Sequence, residues 1–190
     1  SSFKIYLSFL LEMRNKLIYI LLFATLFSSG IIDNTGLIIS DMFPQNLSIN
    51  HSIYHLDKAD IKTIQNKVRQ KFFRDELNIW EIVSKDTTHY YAILDNVKGK
   101  SLPITFLAIY NDNGEIFDTQ IIKYREAYGG EIKSKSWLRQ FLNYNDSSNY
   151  NVGNAIDGIS GATISVKSVT KGIHKLSILI HKLIKDLNEK

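Results

Sequence analysis

The feature that most constrains this chain is an apolar seam near its carboxy end. Val169, Ile173, Leu176, Ile180, Leu183 and Leu187 recur at spacings of four and three, which places all six on one face of a helix. Such a face needs an apolar surface to lie on. The runs Ile79 to Ser84, His89 to Val97, Leu102 to Tyr110 and Glu115 to Lys123 supply it, being rich in β-branched and aromatic residues and separated by turns. Connections this short imply antiparallel pairing. Asn111-Asp112-Asn113-Gly114 reads as a hairpin, because Asn and Gly tolerate the positive φ of tight turns.

Asp57 or Asp60 can cap a further helix to about Phe73, with Ile61, Ile64, Val68 and Phe72 on one face. Ser134 to Phe141 reads as a short helix, and the polar stretch Asn143 to Asn154 as an exposed loop. Strands in one run with helices at both ends give an α+β domain, an antiparallel sheet flanked by helices, over residues 56–190. Residues 33–55 mix Gly, Pro and Asn with short apolar pieces and read as a connector with one short strand at most.

Residues 17–32 are apolar on every side and follow Met13-Arg14-Asn15-Lys16. A basic flank before an apolar run that ends in small residues is the layout of an export signal. The run falls slightly short of the roughly 20 residues that span a bilayer, so over residues 1–32 both a cleaved signal and an uncleaved membrane anchor stay open. Met13 is a plausible alternative start, and a buried core helix is the plainer alternative for the segment. Basic residues on the amino side would keep that end in the cytoplasm and place the domain outside. Set against Glu12, Lys4, Arg14 and Lys16 give this segment +2, half of the formal charge of +4, which leaves too little on the remainder to suggest nucleic acid as a partner.

The chain has no cysteine. Disulfides, thiolate zinc sites, iron–sulfur clusters and a cysteine nucleophile are thereby excluded, as is a lipoprotein anchor. His51, His55, His89, His174 and His181 form no ligand cluster with carboxylates, so no metal is expected. His174 and His181 share a helical face and read as surface residues beside Lys175 and Lys182.

Between the polar loop and the last helix lies Asp157-Gly158-Ile159-Ser160-Gly161-Ala162-Thr163-Ile164-Ser165. Gly161 and Ala162 let a bulky group approach the backbone, and Ser160, Thr163 and Ser165 bring hydroxyls to a helix start. The free N–H groups and positive dipole end there favour a phosphate. A plain capped turn has the same composition, and local physics leaves both readings open.

The segment resembles the flavinylation motif of the FMN-binding domain family. That family includes the C subunit of the sodium-pumping NADH:quinone oxidoreductase, the G subunit of Rnf-type complexes and the periplasmic domain of the NosR type. A second resemblance lies in Tyr124-Arg125-Glu126-Ala127-Tyr128-Gly129-Gly130-Glu131 with Trp137-Leu138-Arg139-Gln140-Phe141, similar to the family's glutamate, glycine turn, tryptophan and Gln-Phe. Asp95 to Lys100 and Pro103 to Phe106 with Asn113-Gly114 also look like the family's strand pair. The respiratory subunits show Glu-Thr-Pro-Gly-Leu-Gly where this chain has Glu126 to Glu131, which favours a small stand-alone exported member or a NosR-like one.

The resemblance implies FMN held by a phosphodiester on Thr163, donated from FAD by a magnesium-dependent flavin transferase. It implies no catalytic residue of the chain's own but an electron carrier that exchanges with membrane redox proteins, or alternatively a membrane-anchored redox sensor of NosR type. Asp157 would orient the loop or serve the transferase, or simply cap the loop. Gly129 and Gly130 would admit the flavin. Tyr128 or Trp137 would pack on its rings or belong to the core. Glu126 and Glu131 would bond the flavin or neighbouring N–H groups, or stand solvated.

Overall fold

The computed structural model describes residues 30–189. It divides into two compact units, Ser1–Asp41 and Met42–Lys190. The described part of the first is helical, in a helix that runs over residues 30–42 (α1). Of the apolar run at 17–32, all but the last three residues lie outside the described residues. No helix among the described residues is long and apolar enough to cross a membrane.

The second unit opens with strand β1 (Asn46–His55) and helix α2 (Lys58–Val68), then continues through β2 (Glu76–Ser84), β3 (His89–Lys98), β4 (Pro103–Asn111) and β5 (Ile116–Lys123). The five strands form one sheet in the order of the chain, every neighbour antiparallel. At the β4–β5 hairpin Asn111 Oδ1 accepts from the N–H groups of Asn113 and Glu115 at 3.0 and 2.9 Å, and Gly114 takes a positive φ. A 3₁₀ turn (Gly130–Lys133), the short helix α3 (Lys135–Leu138) and a second 3₁₀ turn (Arg139–Phe141) follow. The long helix α4 (Thr163–Asn188) closes the unit.

The seam read from the sequence is the one that packs. Val169, Ile173, Leu176, Ile180 and Leu183 are buried with Ile93, Val97, Phe106 and Tyr110 in one core cluster, and α4 lies on β3 and β4. Burying each such side chain contributes roughly 1.5–3 kcal/mol, so this seam is the main reason the helix holds its place. The two layers meet closely at Gly172, where a Cβ would stand 2.6 Å from Val97 Cγ1.

Three expectations need correction. Residues 33–55 are no connector: α1 runs to residue 42 and β1 spans ten residues. β1 is an edge strand with exposed Leu47 and Ile53, so its residues carry little of the burial pattern that marks a strand, and the ladder to β2 sets its conformation. Helix α2 ends at Val68 rather than Phe73, because Arg69 turns left-handed at φ 53°. The chain past it is held elsewhere: Gln70 Nε2 donates to the Ser168 carbonyl at 2.8 Å. Thirdly, His174 is half-buried and its neighbour Lys175 is not a surface residue, whereas His181 is exposed as expected. Lys175 is wholly buried in an ion pair with Asp95 at 2.7 Å, and the His174 ring stacks on Tyr150 at 4.2 Å.

Candidate functional site

Thr163 is the first residue of α4. The first bond of that helix runs from the Val166 N–H to the Ala162 carbonyl at 2.9 Å, and among the described residues the N–H groups of Thr163, Ile164 and Ser165 find no acceptor. Three unpartnered donors at the positive end of a 26-residue helix attract an anion.

The segment that leads into this turn is pinned along its length. At its start, the Trp137 indole N–H donates to the Asp157 carbonyl at 2.8 Å, and Gln140 Oε1 accepts from the Asp157 N–H at 2.7 Å. Ser134 caps the helix that carries Trp137, accepting from the Trp137 N–H, and Gln140 follows in the next turn. Farther on, Gly161 takes φ 76°, a value that side chains disfavour, and turns the chain into α4. Ala162 is buried against Gly129, where a Cβ would stand 2.2 Å from the Ala162 Cβ. Gly129 also has φ 80°, so two separate constraints demand glycine there. Just beyond, the Tyr124 hydroxyl donates to the Tyr128 carbonyl and lies 3.2 Å from Ser165 Oγ.

A cleft of about 490 Å³ opens in front of this turn, lined by Lys100 to Leu102 of the β3–β4 turn, Arg125 to Tyr128 after β5 and Gly161 to Ser165. That volume lies within the roughly 300–1,000 Å³ usual for small-molecule sites. Lys100 and Arg125 bring positive charge, and Tyr128 is 78% exposed. Glu126 Oε1 accepts from the N–H groups of Ser101 and Leu102 at 2.8 and 3.0 Å. These two bonds hold its carboxyl below the usual carboxylate range and tie the hairpin to the strand end.

The cleft therefore gathers Glu126, Tyr128, Gly161, Ala162, Thr163 and Ser165 from the residues singled out in the sequence. Asp157, Ser160, Gly129, Gly130, Glu131 and Trp137 stand outside its lining. Trp137 is buried, edge-on to Phe141 at 5.3 Å, and serves the loop through its N–H. Asp157 contributes its backbone, its side chain being exposed. Lys100, Ser101, Leu102 and Arg125 were missed, although the Lys-Gly-Lys turn and the cation beside Glu126 were visible. Of the motif's three hydroxyls only that of Thr163 belongs to an exposed residue in the cleft: Ser165 is buried beside Tyr124, and Ser160 lies off the lining.

Fold and cleft together define an α+β domain that offers an anion-accepting helix start next to an exposed aromatic ring. Residues 99–177 match the FMN-binding domain family. No curated protein matches the chain. The matched residues span the whole cleft, from the Lys100 turn through Thr163. They fit a phosphate-bearing flavin: free N–H groups and two cations for the phosphate, a volume for the ring system, and glycine where the loop needs close approach.

Proposed function

We propose that the domain carries FMN covalently, through a phosphodiester on Thr163 Oγ, and serves as an electron carrier outside the cytoplasm. The observation that carries this reading is the position of Thr163, whose residue alone among the motif's three hydroxyl bearers is exposed within the cleft and stands at the free N–H groups of α4. In attachment the threonine oxygen bonds to the flavin-side phosphorus of FAD. The bond to the adenylate breaks, AMP leaves, and the hydroxyl proton passes to a base of the magnesium-dependent transferase.

Lys100 and Arg125 would balance the phosphodiester charge, and Tyr128 would offer its exposed ring to the flavin. Glu126 would act through the hairpin, since Oε1 is committed to Ser101 and Leu102. Trp137, Gln140 and Gly129 would hold the loop so that Thr163 is presented. When bound, the isoalloxazine supplies reversible one- or two-electron chemistry. Membrane redox proteins as partners, and an exported location with the 1–32 segment as signal or anchor, complete the reading. A covalent tether suits a compartment without a flavin pool.

The test is co-expression with a flavin transferase, then mass spectrometry of the tryptic peptide spanning residues 140–167. An FMN increment on Thr163 is expected, together with complete loss of in-gel flavin fluorescence in Thr163→Val and an unchanged circular dichroism spectrum. A fluorescent Val variant would overturn the assignment. Fast exchange with quinones or cytochromes would mark a carrier, and slow exchange without an acceptor the sensor of NosR type.

A further inference from the structure

A second concavity lies on the other side of Ile164. It measures about 580 Å³ and is formed by the Arg69–Phe73 turn, Lys98 at the end of β3, and Ile164, Lys167, Ser168 and Lys171 of α4. Its apolar part is Phe72, Phe73 and Ile164, the last two 48% and 50% exposed. Around them stand five cations, Arg69, Lys71, Lys98, Lys167 and Lys171, with no acidic residue in the lining. Among the described residues none of the five has an ion-pair partner. Lys167 and Lys171 are four apart on one helix, a like-charge repetition that is unfavourable without a counter-charge.

The groove is built rather than incidental. Lys175, wholly buried, reaches from α4 to the turn: its Nζ lies 2.7 Å from Asp95 Oδ2, 3.3 Å from the Lys71 carbonyl and 4.1 Å from the centre of the Phe72 ring. Gln70 ties the same turn to Ser168. A buried ion pair seldom raises stability above that of an apolar replacement, so its effect here is chiefly geometric. It fixes Phe72 and the turn against α4 and keeps the concavity open.

We propose that this groove binds a small anion with a flat apolar body, an aromatic carboxylate, sulfonate or phosphate, whose ring lies against Phe73 and Ile164 while its charge meets the lysine rim. A concave, mainly apolar cavity of small-molecule size with charge at the edge is suited to such a ligand, whereas a membrane or a flat acidic protein face would meet mainly the rim. The proposal does not depend on the reading of Thr163.

The test titrates naphthalene-2-sulfonate, with its neutral isostere 2-naphthalenemethanol as control, into the ¹⁵N-labelled full chain bearing Thr163→Val, so that no flavin is attached at that position. Saturable shifts are expected at the amides of Phe72, Phe73, Ile164 and Ser168. Lys167→Glu with Lys171→Glu should weaken binding about tenfold or more, as should the neutral probe, and Phe73→Ala should weaken it with the charges intact. Equal binding of the two probes, insensitivity to the double reversal, or shifts confined to Lys100, Arg125 and Tyr128 would each overturn the proposal. So would tighter, saturable binding of phosphatidylglycerol vesicles through these lysines, or loss of probe binding once wild-type chain carries its flavin, since the groove would then be a lipid face or the flavin's own seat. Failure of flavin attachment leaves every readout on the Thr163→Val chain standing.

Discussion

The two concavities that meet at Ile164 are of similar size and differ in how they are held. The Thr163 cleft is shaped by backbone: carbonyl and N–H groups of Asp157, Ser101, Leu102 and Tyr128 take the bonds that fix it. The cationic groove turns chiefly on one buried side-chain pair, Asp95 with Lys175, with the Gln70 bond to Ser168 beside it. A site held by many small backbone bonds loses its shape gradually, while one that turns on a buried ion pair loses most of it at a stroke.

The sharpest way to break that contrast is Lys175→Met. It strands the Asp95 carboxylate in the core and should cost about 3–5 kcal/mol, measured by chemical denaturation, while Thr163 keeps its capacity to accept flavin under conditions where the variant stays folded. Adding Asp95→Leu should recover most of the loss. Stability restored without recovery of the groove's probe binding would show that the pair's effect is geometric.

Gly129→Ala attacks the other cleft, where the new methyl would meet Ala162 and the left-handed backbone would be strained. A loss of roughly 1–3 kcal/mol is expected, with flavin attachment slowed disproportionately because the motif itself must move. Trp137→Phe keeps the ring and deletes only its N–H to Asp157. It should cost about 1 kcal/mol and slow attachment in a timed transferase assay, leaving the groove untouched.

The smallest effect concerns His174. Burial beside Tyr150 lowers its pKa below the ordinary 6.5, so the unfolded chain binds the proton more readily. Stability should therefore rise with pH as it passes from the lowered value through 6.5 and be level above. Thermal melts across that window should show the slope, and His174→Gln should flatten it.

Much of the fold was legible in the sequence because its elements obey local rules. The α4 seam, the four strands β2 to β5 and the Asn-Gly hairpin each follow from periodicity or turn chemistry, and Thr163 stood out because its motif is contiguous. What escaped depends on residues far apart in the chain. Nothing near Asp95 marks it as half of an ion pair with Lys175, eighty positions on, and a lysine on a helix reads as surface. Trp137 was open between core and flavin. Its indole N–H on Asp157 gives it a third use, one that only the folded chain displays.

The order of the strands along the sheet carries one more consequence. Each strand pairs with its predecessor as it is made, yet Thr163 stands at the head of the helix that follows them all, and that helix is also tied back to the beginning of the unit, with Tyr54 donating to Asp186 at 2.7 Å. A nascent chain can lay down its whole sheet and still offer no ordered acceptor to a transferase. On the proposed reading, cofactor loading would wait until α4 is made and packed, so that a chain stalled before α4 would stay unmarked.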